Sequence, residues 1–359
     1  MKKALLIAAK LLVVVLVAWF VRGTLVTAWE EIGKHPLELH AGWLILSGVI
    51  YLVGLLPAGW YWHHVLNVLG QEARLGETLQ AYYLGHLGKY VPGKAMVIIL
   101  RTGMIRSHRV DTKLAVVSVF YETLTMMAVG SFLSAGILMF LYQERPLLIW
   151  ASLAFMLAAG LPTLPPIFRL VLRVMRIGKR AQVSPLSMAD TAEWSGPGVT
   201  AEPDAARRDA PAPESHPSPL TPHPSPLTDN LTYTTVLIGW ASMTIVWLAM
   251  AASLWAVFRG CGLDYPLSNH LAEYTVAVCL PVVAGFAALI PAGLGVRDLL
   301  SAELLPHLFG IAAAPAVVTS ALIRVTWLLA ELIIFAILYP LRLKLRRTQN
   351  EPRALNPEP

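Results

Sequence analysis

The amino-acid sequence predicts an all-α polytopic membrane helix bundle, with two re-entrant Pro/Gly-broken hairpins arranged as an inverted repeat. Three observations carry that expectation. Of the 359 residues, 56% are hydrophobic and only 14% are charged, whereas a soluble domain carries about 25% charged residues. Apolar runs that approach or exceed the ~20 residues a helix needs to cross a bilayer recur along the chain. Two further apolar segments are interrupted near their middles by helix breakers, at Gly88-Lys89-Tyr90-Val91-Pro92-Gly93-Lys94 and at Ile290-Pro291-Ala292-Gly293-Leu294-Gly295-Val296-Arg297-Asp298.

The first run, residues 4–21, follows Met1-Lys2-Lys3 in the manner of a signal peptide. Lys10 interrupts it and no clear Ala-x-Ala site follows, so it reads as an uncleaved first span. Complete spans are expected at residues 40–60, 114–142, 147–166, 233–257 and 315–340. The broken segments cover residues 78–106 and 272–310, each readable as two short arms of a re-entrant hairpin. This gives a first transmembrane half over 1–177, a linker over 178–231, a second half over 232–347 and a tail over 348–359. The linker is rich in Pro, Ala, Ser and acidic residues and carries a tandem repeat, His216 to Pro222 followed by His223 to Thr228. Such a composition cannot bury enough apolar area to offset its ordering entropy, so linker and tail are expected to be disordered.

The formal net charge of +6 follows the ends of apolar spans, which is the positive-inside pattern rather than a nucleic-acid footprint. It puts both termini in the cytoplasm of a bacterial-type inner membrane. If residues 272–310 crossed only once, the basic tail at Arg342, Lys344, Arg346 and Arg347 would face outside. A re-entrant hairpin removes that conflict, and so does a pair of full crossings. Interrupted segments at matching places in two inverted halves point to a transporter-like site near the bilayer midplane.

Residues Gly88 to Ala95 read G-x-x-x-x-G-K-A. A nucleotide-binding loop needs Ser or Thr after the Lys and a preceding buried strand, and this segment has neither. The physics of such a loop still applies. Helix N-termini with free N–H groups attract phosphate, Lys94 adds charge beside them, and Arg101 lies about two turns on. Lys89, Gly93, Lys94 and Arg101 are therefore candidates to receive an anionic headgroup. The competing reading is a snorkelling anchor, which is favoured for Arg106, Arg109 and Lys113. Glu122, Arg324 and Glu331 lie inside apolar spans, where ionisable groups usually face the bundle interior and pair. Arg324 is expected to pair with Glu122 or Glu331, or else to bind substrate phosphate. Arg297 and Asp298 diverge by about 100° on a helix and are placed to cap the second hairpin's distal arm. Cys261 and Cys279 read as packing residues, and His63, His64 and His86 as interfacial packing without metal-ligand spacing. The eleven Trp are expected mainly at lipid-facing and interfacial positions. No catalytic residue, metal site or cofactor is indicated.

On these residues the chain resembles the transmembrane region of lysylphosphatidylglycerol synthases, the broad flippase-like group. The resemblance rests on Gly88 to Lys94 with Arg101, on Glu122, on Pro291-Ala292-Gly293-Leu294-Gly295-Val296-Arg297 and on Arg324, and it covers most of the chain apart from linker and tail. It implies a multi-helix domain that moves lipids between leaflets. In the bifunctional synthases a soluble domain first makes the aminoacylated lipid. The linker here is too short and Pro-rich to be one, so lysyl transfer is not expected. Asp298 stands where many relatives have Glu, and Ala95-Met96-Val97 where many have a Gly-Glu pair, which leaves the lipid unidentified.

The resulting expectation is a non-enzymatic protein whose partner is an anionic membrane lipid. Substrate-binding candidates are Lys89, Gly93, Lys94, Arg101, Gly293, Gly295, Arg297 and Arg324, and Glu122, Glu331 and Asp298 pair or couple charges. The alternatives are an accessory subunit working with a lipid-synthesis enzyme, and a membrane-embedded lipid-modifying enzyme, for which no nucleophile or metal cluster is visible.

Overall fold

The computed structural model describes residues 39–90, 95–105, 110–144, 146–174, 230–288, 293 and 295–350. The expected first span at 4–21, Gly93, Lys94, Arg106, Arg109, Pro291, Ala292 and nearly all of the linker lie outside the described residues. The described elements are helical: α1 (Ala41–Gly54), α2 (Leu56–Val68), α3 (Leu75–His86), α4 (Ala95–Ile105), α5 (Thr112–Leu141), α6 (Pro146–Gly160), α7 (Pro165–Val174), α8 (Tyr233–Gly260), α9 (Leu267–Ala287), α10 (Val296–Phe309) and α11 (Ala313–Asn350).

Among the described residues, five stretches are long and apolar enough to cross a bilayer, namely Ala41–Val68, Thr112–Leu141, Tyr233–Gly260, Leu267–Ala287 and Ala313–Leu343. The first is α1 and α2 in series, separated only by Leu55, with Pro57 in the first turn of α2. Residues 147–166 are not one straight span. α6 runs into a short 3-10 turn, Leu161–Thr163, and the chain then bends by 74° into α7. Pro162, Pro165 and Pro166 cluster at that bend, where each removes a backbone donor. α7 is amphipathic, burying Phe168 and Leu172 while Arg173 is exposed, the form of a helix lying in the interface plane. Leu231, assigned to the linker from sequence, is buried in the packed body and its carbonyl accepts from Arg169. α11 likewise runs to Asn350, into the expected tail.

The two broken segments differ. α3 and α4 have 12 and 11 residues, or ~17 Å each at 1.5 Å per residue, about half of a ~30 Å hydrocarbon core. α9 has 21 residues with a kink at His270 and by length and composition can cross alone, whereas α10 has 14. The two arms of the second segment are therefore unequal in length. Their break, between Ala287 and Val296, falls at the Pro/Gly motif, and Pro281 is accommodated inside α9.

Packing nevertheless repeats. α2 packs on α3, α3 on α4 and α4 on α5; correspondingly α8 packs on α9, α9 on α10 and α10 on α11. The halves then exchange partners, α5 packing on α8 and α9 while α11 packs on α1 and α3. Exchanging α1–α2 with α8, α3 with α9, α4 with α10 and α5 with α11 reproduces all of these neighbours. α1 and α8 form the central seam, where Ser47 and Ser253 each donate to the other's backbone carbonyl, at 2.9 and 3.0 Å. Small residues let backbones approach, as expected where helix association relies on close packing and interhelical hydrogen bonds. A Cβ on Gly54 would lie 2.5 Å from that of Ala249.

Three of the Trp residues expected at lipid are instead fully buried: Trp62, Trp247 and Trp327. Each indole N–H has a partner, Ser118 Oγ at 2.9 Å, the Met126 carbonyl at 3.0 Å and Ser253 Oγ at 2.8 Å respectively, which is what makes burial of the ring favourable.

The turn of the first broken segment is held by backbone contact. A Cβ on Gly88 would lie 2.8 Å from the Val97 amide nitrogen and 2.9 Å from its Cα, atoms that cannot rotate away. Gly88→Ala should destabilise the protein by about 1–3 kcal/mol. Gly103→Ala, also helical but with nothing within 4 Å of the added Cβ, should be neutral or stabilising by up to ~1 kcal/mol. Thermal unfolding of both variants in detergent checks this; equal loss in both would refute the close-approach account.

Candidate functional site

Among the described residues, six ionisable side chains of the apolar interior form three ion pairs. Arg101, projecting from α4, donates from a terminal guanidinium nitrogen to Glu122 Oε2 on α5 at 2.7 Å. Both side chains are almost fully buried, at 4% and 2% exposure. Tyr82 Oη donates to Glu122 Oε1 at 3.3 Å, and the Arg101 guanidinium lies 3.9 Å from the centroid of the Tyr82 ring. Gly85 makes room for this: a Cβ there would sit 2.5 Å from Arg101 Cγ.

The second pair joins the two halves. Lys89, in the 3-10 turn Leu87–Tyr90 that follows α3, donates to Glu331 Oε1 on α11 at 2.5 Å. Tyr51 Oη on α1 also donates to Glu331 Oε1, and His86 Nε2 lies 3.2 Å from Tyr51 Oη and 3.6 Å from the carboxylate. The Tyr51 ring stacks on Trp327 at 4.5 Å. Glu331 Oε2 and His86 Nδ1 are buried without a hydrogen-bond partner among the described residues.

In the third pair Arg324 on α11 donates to the Asp298 carboxylate on α10. Asp298 Oδ2 also accepts from the Gly295 amide at 3.2 Å, capping α10. Gly293 and Gly295 have φ of +66° and +79°, the left-handed region that favours glycine. Gly293 meets Gly285 of α9 so closely that a Cβ on Gly285 would lie 2.9 Å from the Gly293 Cα.

Of the residues singled out from sequence, Lys89, Glu331, Arg297, Arg324 and Asp298 gather around α11. Lys89 feels the charges of Glu331, Arg297 and Arg324. Arg101 and Glu122 form their own pair, connected to the first group through Tyr82 and His86, whose rings are 5.9 Å apart. Arg324 pairs with neither Glu122 nor Glu331 as expected; α10 brings Asp298 to it first. Asp298 caps the distal arm as predicted, while Arg297 leaves the cap and lies over the Trp327 ring at 4.6 Å. Sequence reasoning missed Tyr51, Tyr82 and Trp327 and gave His86 only a packing role. The spacing of His86 three residues before Lys89 places the two near one another on a helical turn, a signal available beforehand. Together these side chains line a track of polar and aromatic neighbours in the bundle interior: Glu122 bonds Arg101 and Tyr82, Tyr82 meets His86 ring to ring, His86 lies 3.6 Å from Glu331, which bonds Lys89, and Arg324 with Asp298 form a separate pair near by.

Fold and track define a multi-pass α-helical membrane protein with ion pairs buried in its interior, where ionisable groups face the bundle and pair. Residues 6–334 match the family described as the lysylphosphatidylglycerol synthase TM region, and the chain belongs to that family. A search of curated proteins returns no match.

Removing one member of a buried ion pair leaves an uncompensated charge and costs about 3–5 kcal/mol, while replacing both by apolar or neutral groups is often close to neutral. Arg101→Met and Glu122→Gln should each lower thermal stability in detergent by amounts in that range, and the double variant should recover most of it. Additive losses in the double-variant cycle would show that the two side chains act independently.

Proposed function

We propose that this protein moves an anionic phospholipid, or a lipid-linked anionic headgroup, between the leaflets of a bacterial-type cytoplasmic membrane without nucleotide hydrolysis and without covalent chemistry. The observation that carries the reading is the polar track. A charged headgroup crossing hydrocarbon needs a sequence of polar partners while its acyl chains stay in lipid, and the track supplies both signs of charge along one route. Family membership supports a lipid-related role in the membrane. A lipid-synthesis enzyme would supply the substrate in the cytoplasmic leaflet, the side on which both termini are placed by the charge pattern.

The Lys89–Glu331 pair acts in this scheme as the tie between halves. It connects the turn of the first broken segment to α11, and an arriving phosphate competes with Glu331 for Lys89. Opening the tie lets the broken segments shift against the long helices, the rearrangement expected where two repeats rock around a shared site.

Leaflet exchange of labelled phospholipids in liposomes containing the purified protein tests the proposal. Exchange of anionic lipid should exceed that in protein-free liposomes. The paired variant Lys89→Met with Glu331→Gln keeps the interior neutral; it should assemble normally yet exchange about tenfold or more slowly, the factor set by ~1.4 kcal/mol in a barrier. Folded protein that exchanges no lipid, with stable co-purification of a lipid-synthesis enzyme, would replace transport by an accessory role. Arg101→Gln is a poor probe, because its loss of the Glu122 bond reads out as misfolding.

A further inference from the structure

Two acceptor atoms in the cluster around Glu331 are buried and unused. Glu331 is 2% exposed. Its Oε1 accepts from Lys89 and from Tyr51 Oη, while Oε2 has no hydrogen-bond partner among the described residues. The hydroxyl proton of Tyr51 is committed to this carboxylate. Tyr51 Oη is therefore an acceptor towards His86 Nε2, 3.2 Å away, and a neutral imidazole there carries its proton on Nε2. His86 Nδ1 is then a bare acceptor, and it too is buried without a partner among the described residues. Idle acceptors in an apolar interior are costly, and each is a place where a proton can bind.

The two positions are joined, since His86 Nε2, Tyr51 Oη and Glu331 Oε1 form one hydrogen-bonded line. A proton that binds His86 Nδ1 releases the Nε2 proton to Tyr51 Oη, as the Tyr51 proton passes to Glu331 Oε1. The line ends with a neutral imidazole protonated on Nδ1, an intact phenol and a neutral carboxylic acid. Other charged and titratable groups surround it. Lys89 and Tyr90, from the turn after α3, act on Glu331 directly. Arg297 and Asp298 come from α10, and Arg324 on α11 is bonded to Asp298. Arg101 of α4 acts on His86, and Tyr82 meets its ring. α8, which also packs on α11, carries Tyr233 and Arg259 only at its two ends.

We propose that His86, Tyr51 and Glu331 are a proton-binding site, and that Glu331 takes up one proton for each anionic headgroup received by Lys89, so that lipid movement is proton-coupled. A headgroup phosphate at Lys89 changes the interior by one negative charge, whatever the standing balance of the groups around it. One proton on Glu331 cancels that change. It also opens the Lys89–Glu331 tie, because a neutral acid no longer holds the ammonium. Net charge is penalised in hydrocarbon, so the neutral exchange is favoured over arrival of the anion alone. The coupling rests on the lipid-transport reading, but the proton site is testable without transport.

The experiment titrates dihexanoylphosphatidylglycerol into the purified full chain in detergent, by calorimetry in buffers of different ionisation enthalpy and across a pH series. The lipid phosphodiester stays ionised, so any proton taken up goes to the protein. Wild type should take up about one proton per lipid bound, and its Kd should weaken by about tenfold per pH unit where Glu331 titrates, because linkage is reciprocal. Infrared difference spectra of the same binding should show a protonated-carboxyl band. Glu331→Asp, which keeps the charge, should shift that band, and Glu331→Gln should lack it and bind with a Kd independent of pH. If Glu331→Gln fails to fold, the wild-type stoichiometry and the Glu331→Asp band still decide. Binding by wild type with no proton uptake and a flat Kd overturns the proposal, and so does uptake without a Glu331-dependent band. Folded wild type that binds no phosphatidylglycerol at any pH overturns it together with the transport reading. Proton uptake on binding without leaflet exchange in liposomes upholds the proton site and sinks transport; exchange that ignores an imposed pH gradient, with no uptake on binding, does the opposite.

Discussion

Hydrocarbon does not tolerate unmatched charge, and the arrangement of this protein follows from how that constraint is met. Each of the three interior ion pairs joins a broken segment to a long helix: Arg101 of α4 to α5, Lys89 of the first turn to α11, and Asp298 of α10 to α11. The short arms lack the apolar length to fix themselves in a bilayer. Their position is set by these bonds, by burial against neighbouring helices and by backbone contacts through Gly85, Gly88 and Gly285. Taking either charge away would leave its partner stranded, so the pairs hold assembly together even where they add little net stability compared with an apolar pair.

The two halves solve the same mechanical problem with opposite signs. In the first, the short arm carries the cation and the long helix the acid, Arg101 with Glu122. In the second, the short arm carries the acid and the long helix the cation, Asp298 with Arg324. Either order neutralises the pair, so packing repeats while residue type does not. The Lys89–Glu331 bond belongs to neither half alone and crosses between them. The central seam, by contrast, is made of small residues and reciprocal serine hydrogen bonds between α1 and α8. It permits close contact without fixing a charge.

Aromatic residues insulate this network. Tyr51 stacks on Trp327, Arg297 covers the same indole, and Tyr82 lies under Arg101. These rings lower the cost of holding cations away from water, since a cation above a ring face is attracted by its quadrupole, the more so when desolvated. They also donate to the carboxylates through Tyr51 and Tyr82, so that one set of side chains both packs and satisfies charge.

The sequence by itself determined the membrane class, the long spans at 40–60, 114–142, 233–257 and 315–340, the two broken segments and the identity of the interior charges, because each follows from local composition and from the cost of breakers and ions in lipid. Glu122, Arg324 and Glu331 were visible as residues that must be matched, Asp298 as a cap that pairs or couples charge, and Arg101 as a cation read as a headgroup site or an anchor. Which matched which was not. Arg324 and Glu331 share a face of α11, and that spacing suggested a common partnership, yet the azimuth of α10 against α11 delivers Asp298 to Arg324 and leaves Glu331 to a lysine far away in the chain. The same holds for His86, Tyr51 and the buried tryptophans, whose roles depend on which helix lies opposite. The unequal arms of the second broken segment also escaped the sequence, since the helix of Leu267–Ala287 begins before the apolar segment at 272 and Phe309 ends the other arm after 14 residues. Spacing along one helix fixes a face; only the docking of a second helix decides what that face meets.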